Sequence, residues 1–98
     1  MTVFDKNEAP GGLLRYGIPN FKLHKPIIDR RIRVMEEEGI HFKMNNDVDV
    51  RQLPEGFDAY CICTGTPTAR DLTVPGRELK GIHLALDMLA QQNRILPA

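Results

Sequence analysis

The 98-residue sequence lacks the features that would assign it to a membrane or to a nucleic acid. No apolar run approaches the roughly 20 residues that cross a bilayer, so we do not expect a membrane protein. Thirteen basic residues are balanced by thirteen acidic ones, and a chain without net charge does not attract a phosphate backbone, so we expect no nucleic-acid partner. The amino terminus lacks the basic and then apolar stretches of a signal peptide, and we therefore expect a cytoplasmic protein.

Cysteine is scarce as well. Cys61 and Cys63 are the only two cysteines, and a zinc or iron–sulfur site needs more ligands than two thiols. In a strand, residues two positions apart lie on one face, where a disulfide between them is awkward to close. We therefore expect no metal site here, and we interpret the pair as two small buried hydrophobic side chains.

The first half of the chain predicts a strand, a loop, a helix and a second strand. β-Branched and aromatic residues at 2–4 predict a strand that ends at Asp5. Glycines and a proline between residues 11 and 26 predict an apolar loop that packs on the rest of the protein. Pro26 and Gly39 mark the two ends of an amphipathic helix, and residues 40–44 alternate between apolar and polar types, as a half-buried strand does.

The second half predicts two further strands and a helix. A turn at Asn45 and Asn46 leads to a short run around Val48, and residues 57–65 form a nearly continuous apolar run that ends in Thr64 and Gly65. Such a run is typical of a strand buried on both faces of a parallel sheet. The last amphipathic pattern predicts a helix over residues 83–93.

Three features would lie at the carboxyl ends of these strands, where α/β domains bind nucleotides. They are Asp5, the Gly11–Gly12 pair and the Thr64–Gly65 pair. A carboxylate can accept hydrogen bonds from ribose hydroxyls, and glycines let backbone N–H groups approach a pyrophosphate. Each feature also has a structural alternative, because a carboxylate after a strand often caps a turn and paired glycines often form one.

A dinucleotide-binding domain carries G-x-G-x-x-G about 20 residues before its acidic residue. Only four residues precede Asp5, and the fingerprint occurs nowhere in the chain. We therefore expect an α/β fold in which residues 1–98 form a single partial, Rossmann-like FAD/NAD(P)-binding domain that lacks the first strand and the glycine-rich loop.

No side chain is a clear acid, base or nucleophile, and we predict no catalytic residue. His24, His41 and His83 are too far apart in sequence to form a motif. Arg15 and Arg70 could face a phosphate or the flavin, and solvation at the surface is the alternative.

Two segments carry a resemblance to a known family. They are VFDKNEAPGGLLRYGIPNFKL, at residues 3–23, and CTGTPTARDLTVPGRELKGIHLALDMLAQQN, at residues 63–93. Both resemble the small (beta) subunit family of glutamate synthase and its flavoprotein relatives, which include the amino-terminal part of dihydropyrimidine dehydrogenase. Cys63 stands where this family usually has alanine, and Thr73 where proline is common. Neither change is expected to disturb the fold.

The resemblance implies a piece of an oxidoreductase that passes electrons from NADPH through FAD and 4Fe–4S clusters to the large (alpha) subunit, where glutamate is made. This chain would supply only half of the FAD site, with NADPH and the clusters bound elsewhere. Helix 83–93 would lead into the NADPH domain, which is absent from the 98 residues. We therefore expect the chain to be inactive alone.

The resemblance also implies which residues meet FAD, namely Asp5, Gly11, Gly12, Leu13, Gly17, Ile18, Pro19, Val48, Thr64 and Gly65. Asp5 would bind the adenosine ribose, and residues 11–13 would lie along the ribose and pyrophosphate. Residues 17–19 would approach the flavin and the backbone at Val48 the adenine. Residues 64–65 would close over the middle of the cofactor.

A second hypothesis is a non-enzymatic, stand-alone interaction module or a truncated gene product. An uncovered strand edge recruits partners, and we therefore expect self-association through exposed apolar segments or exchanged elements.

Overall fold

Two short parallel strands, connected through two helices, lie at the centre of the structure. The computed structural model describes residues 1–95. The elements are β1 (Thr2–Phe4), α1 (Gly12–Tyr16), α2 (Lys25–Glu37), β2 (His41–Lys43) and α3 (Ala85–Ile95). The paired residues of the two strands are Thr2 with His41, Val3 with Phe42, and Phe4 with Lys43. The described residues thus combine helices with a two-stranded parallel sheet, as part of an α/β domain would.

The predicted central helix is confirmed as α2. Pro26 lies in its first turn, where a missing N–H removes no hydrogen bond. After the helix ends, Gly39 takes a positive φ of 101°. Its N–H donates to the Glu36 carbonyl at 3.0 Å, and the Ile40 N–H donates to the Met35 carbonyl at 3.1 Å. This Schellman motif leads the chain directly from α2 into β2.

Both strands predicted in the first half of the chain are confirmed. In β1, all three residues are half-buried. In β2, Phe42 is half-buried between the exposed His41 and Lys43, which is the alternation that the sequence predicted. The predicted turn that follows has Asn45 at a positive φ of 53°.

The apolar core is small and lies between α1 and α2. Its buried residues are Tyr16 and Ile28, which are 8% and 6% exposed. Gly11 allows the two helices to approach, because a Cβ at this position would lie 3.2 Å from both Ile28 Cγ2 and Arg15 Cβ. On the other side of the core, the Arg94 guanidinium of α3 lies 4.9 Å from the centre of the Tyr16 ring.

The prediction of a loop throughout residues 11–26 was wrong for α1. This helix makes little more than one turn, and its glycines lie at its ends. Gly11 precedes the helix, and the N–H of Gly17 donates to the Leu13 carbonyl at 2.9 Å. Between the glycines stand leucines, an arginine and a tyrosine, which tolerate helical backbone well. The segment does pack on the rest of the protein, as expected, through Tyr16.

The prediction of a buried strand over residues 57–65 was also wrong. These residues are exposed and form neither helix nor strand, and the run around Val48 is irregular as well. Phe57 does contact β1, with its ring centre 5.8 Å from that of Phe4. A buried strand needs backbone partners and a sheet face on each side, and the sheet seen within residues 1–95 has only two strands.

The predicted carboxyl-terminal helix is confirmed as α3, shifted by two residues to Ala85–Ile95. It has no fully buried residue. In the part of the chain that the structure describes, no helix is long and apolar enough to span a bilayer.

We predict that Gly11→Ala destabilises the protein more than Gly39→Ala. Both glycines have positive φ, at 124° and 101°, and a residue with a Cβ in such sparsely populated conformations loses about 1–3 kcal/mol. Only Gly11 would also crowd Ile28 and Arg15, since nothing lies within 4 Å of a Cβ at Gly39. Urea unfolding followed by circular dichroism at 222 nm measures both changes. Equal losses would contradict close packing at Gly11.

Candidate functional site

The carboxyl ends of β1 and β2 meet at one edge, as expected for parallel strands. The Asp5 N–H donates to the Lys43 carbonyl at 3.1 Å, and the Asn46 N–H donates to the Asp5 carbonyl at 2.8 Å. The half-buried Val48 follows two residues later. The segments that contain Asp5 and Val48, both predicted to contact a cofactor, therefore leave the sheet at the same edge.

The Asp5 carboxylate organises the turn after β1. Its Oδ1 atom accepts a hydrogen bond from the Asn7 N–H at 2.9 Å, which is an Asx turn. The Asn45 N–H then donates to the Asn7 carbonyl at 2.9 Å and ties this turn to the chain after β2. A carboxylate has a second oxygen that can accept from a ligand, so the turn and a ribose contact are compatible roles.

The two glycines at the start of α1 lie in different environments. Gly11 faces inward against Ile28, so packing already requires the absence of its side chain. Gly12 is exposed at a φ of 53°, and a Cβ there would have no atom within 4 Å. Leu13, which follows, is 60% exposed. Gly12 and Leu13 thus present open surface on which a ligand could lie.

Gly17 and Ile18 begin a tightly closed loop. Their N–H groups both donate to the Leu13 carbonyl, at 2.9 and 3.0 Å. A Cβ at Gly17 would lie 2.9 Å from that carbonyl oxygen, so a larger residue would force the loop open. At the next residue, the Pro19 carbonyl accepts from the Lys22 N–H at 2.9 Å and from the Leu23 N–H at 3.1 Å.

Lys25 stabilises this loop, and the sequence analysis did not identify it. The side chain is buried, with the residue only 3% exposed. Its Nζ donates to the carbonyls of Leu14, Ile18 and Leu23. Burial lowers the pKa of this ammonium below 10.5, and the positive charge of Arg15 lowers it further. One signal was available, because a cation at the first position of a helix opposes the helix dipole.

Arg15 is bound to protein groups rather than solvated at the surface, which was the alternative prediction. Its Nε donates to the Pro10 carbonyl at 2.6 Å, and its Nη2 lies 2.5 Å from Asp29 Oδ1. The side chain is 15% exposed. Arg15 therefore fastens the segment before α1 to the first turns of α2.

Thr64 and Gly65 do not join the edge at which Asp5 lies. Both are exposed within the irregular segment, and a Cβ at Gly65 would have no atom within 4 Å. Arg70 is exposed and lines an open groove of about 530 Å³ between residues 70 and 85. None of the ten residues that the family resemblance assigns to FAD lines this groove, and we place the candidate site at the strand edge.

The expectation that Cys61 and Cys63 are buried was wrong. Both are free and exposed, because the segment is not a strand, and their Sγ atoms lie 3.4 Å apart. The hydrogen bond with the Cys61 thiol raises the pKa of Cys63, and charge repulsion from Cys61 raises it further. Within residues 1–95, no three His, Cys, Asp or Glu side chains are placed to hold a metal ion.

Known proteins resemble this chain along most of its length. It is 47% identical over 93 residues to the glutamate synthase [NADPH] small chain of Bacillus subtilis, a match that covers 91% of this chain and 19% of the relative. The corresponding Mycobacterium tuberculosis small chain is 41% identical over 99 residues, covering 97% and 20%. The glutamate synthase [NADH] of Schizosaccharomyces pombe is 38% identical over 102 residues, covering 98% and 5%.

No family model matches the chain. The chain spans about a fifth of the length of the small chains from Bacillus and Mycobacterium. The matches nevertheless confirm the resemblance that the two sequence segments indicated.

We predict that Arg77→Gln raises the pKa of Asp71. The Arg77 Nε donates to Asp71 Oδ1 at 2.7 Å, and this hydrogen bond holds the pKa of the carboxyl below 3.8. The ionised Asp71 therefore adds to the stability of the folded protein above pH 3.8. This contribution is lost as the pH falls through the lowered folded-state pKa of Asp71. NMR titration of the Asp71 carboxyl carbon measures the change.

Arg51→Gln is the matched control for Arg77→Gln. Arg51 lies 3.5 Å from Asp49 and does not contact Asp71, so its removal leaves the Asp71 titration unchanged. An Asp71 midpoint that is the same with and without Arg77 would contradict the assigned cause.

Proposed function

We propose that this chain, which is homologous to about a fifth of the glutamate synthase small chain, contributes part of an FAD site in a flavin-dependent oxidoreductase. The observation that carries the proposal is the position of Asp5. It follows β1 directly, at the edge where two parallel strands end and where α/β domains bind nucleotides. The Rossmann-like character of the complete domain is part of the same proposal.

The residues at this edge fit the adenosine half of FAD. Asp5 would accept the ribose hydroxyls while its Oδ1 keeps the turn to Asn7. The exposed backbone at Gly12 and Leu13 would lie along the pyrophosphate, and the backbone at Val48 would meet the adenine. These groups bind and orient the cofactor, and the adjacent Gly11 sets their position by packing on α2.

The loop at residues 17–19 would approach the flavin, and Thr64 with Gly65 would close over the middle of the cofactor. In the structure the second pair lies in an exposed, irregular segment. Its contribution to the site therefore requires the segment to reach the strand edge. We assign the pair that role on the family resemblance alone.

FAD would supply the redox chemistry, accepting electrons from NADPH and passing them on through 4Fe–4S clusters. The bacterial relatives are NADPH glutamate synthase small chains by name, which supports NADPH as the donor and a large subunit as the partner. In this proposal, the Asp5 side chain and the backbone of the neighbouring segments hold part of the cofactor, and the chain alone is inactive.

We expect an Asp5→Asn substitution to separate the two roles of Asp5. An asparagine keeps an oxygen for the Asn7 N–H but loses the charge and the second acceptor oxygen. Hydrogen bonds to a charged group contribute about 1.5–3 kcal/mol, so FAD affinity falls roughly 10- to 100-fold while the turn remains. The test protein is the Bacillus subtilis small chain carrying this sequence in place of its matching 93 residues.

Flavin fluorescence titration of this chimera measures the affinity, with Asp47→Asn as the matched control. Asp47 is exposed near the same edge and carries no proposed contact. Asp5→Ala should lose both the turn and the cofactor. Unchanged FAD binding by Asp5→Asn would show that Asp5 serves the turn only, and a chimera without FAD would contradict the proposed function.

A second candidate function is that of an interaction module. Exposed apolar side chains support it, since Ile62, Leu72 and Leu79 are each at least 63% exposed. Such surface recruits a second copy or another protein.

We predict that the isolated chain self-associates. Analytical ultracentrifugation at rising concentration should show dimers or larger species, and Leu72→Lys should weaken them because a charge cannot be buried unpaired. Lys80→Glu, on the same exposed segment, is the control. A chain that stays monomeric at high concentration would contradict self-association.

A further inference from the structure

Lys25 is the only charged or polar residue that is buried within the range described, residues 1–95. An ammonium group has three N–H donors. The structure supplies three acceptors, the backbone carbonyls of Leu14 at 3.1 Å, Ile18 at 2.5 Å and Leu23 at 3.1 Å. Leu14 belongs to α1, and Ile18 and Leu23 belong to the segment that connects α1 to α2.

The position of this charge is unfavourable in two respects. Lys25 opens α2, where the helix dipole disfavours a cation, and Arg15 adds positive charge nearby. Burial of an ammonium is itself costly unless its hydrogen bonds are complete. An apolar side chain of the same length would fill the space without these penalties, so the gain from lysine lies in the carbonyls that it holds.

Those carbonyls define the shape of the loop. The Ile18 carbonyl lies between Gly17 and Pro19, and the carbonyls of Leu14 and Leu23 lie on either side in sequence. Backbone hydrogen bonds to Leu13 and Pro19 close the two turns of the loop, and Lys25 Nζ connects one turn with the other. The ammonium group therefore contributes to the conformation at residues 17–19.

We propose that Lys25 is a positioning residue for the cofactor site, whose ammonium holds residues 17–19 in the conformation that meets the flavin. This inference rests on the proposed function, since the loop faces the flavin only if the chain contributes to an FAD site. Lys25 would not touch the cofactor. It acts through the backbone of Ile18.

The first experiment measures the loop in the isolated chain. Lys25→Met should speed amide hydrogen exchange at Gly17, Ile18 and Leu23 roughly tenfold or more, because the carbonyls on both sides lose their shared donor. Lys22→Met is the matched control, since Lys22 lies in the same loop and is exposed. If Lys25→Met does not fold, Lys25→Gln keeps two donors without the charge and takes its place. Unchanged loop exchange would overturn the inference.

The second experiment uses the chimera described above and reads the flavin itself. Lys25→Met should lower FAD affinity roughly tenfold and shift the visible absorption of the bound flavin, and Lys25→Arg, which restores charged donors, should recover part of both. A side chain needed only for folding would lower the FAD content without moving the spectrum of the flavin that remains bound.

The outcomes distinguish the two proposals. If the unsubstituted chimera binds FAD and Lys25→Met has the same affinity and spectrum, the positioning role is overturned and the proposed function stands. If the unsubstituted chimera binds no FAD, the proposed function fails and the positioning role fails with it. A changed spectrum that Lys25→Arg restores supports both.

Discussion

The hydrogen bonds of the Lys25 ammonium are the interaction on which the packing of α1 and α2 depends. They join a carbonyl of α1 and two carbonyls of the connecting segment to the first residue of α2. Arg15 makes a second attachment close by, through the Pro10 carbonyl and Asp29. With these in place, α1 packs on α2 at Gly11, and Tyr16 and Ile28 form the core. A core this small needs polar attachments, because little apolar surface is removed from water.

The geometry of the strand edge follows from the way in which α2 ends. The Schellman motif at Gly39 releases the chain straight into β2, and the parallel pairing then sets β1 beside it. Asp5 and Asn46, which leave the two strands, become hydrogen-bonded neighbours. A candidate nucleotide site therefore arises at the carboxyl ends of the two strands, although each strand has only three residues.

In contrast to the strand edge, the segment from Phe57 to Leu84 forms neither helix nor strand. Its apolar side chains have no sheet to cover, so most stay exposed and the two cysteine thiols face solvent. One aromatic contact, between Phe57 and Phe4, connects it to β1. The contrast separates Asp5, which lies at the sheet edge, from Thr64 and Gly65, which lie in the exposed segment.

The sequence by itself determined the elements whose signals are local, together with the resemblance to glutamate synthase small chains. Pro26 and Gly39 bounded α2, alternation revealed β2, and helical spacing revealed α3 within two residues of its ends. Only the tertiary structure decided the state of residues 57–65 and the role of Lys25. A buried strand depends on backbone partners far away in sequence, and the carbonyls that receive the lysine belong to the main chain, which is the same for every residue type. The partners of a buried strand leave no mark in the order of side chains, and for Lys25 the sequence offers only a cation at the first position of a helix.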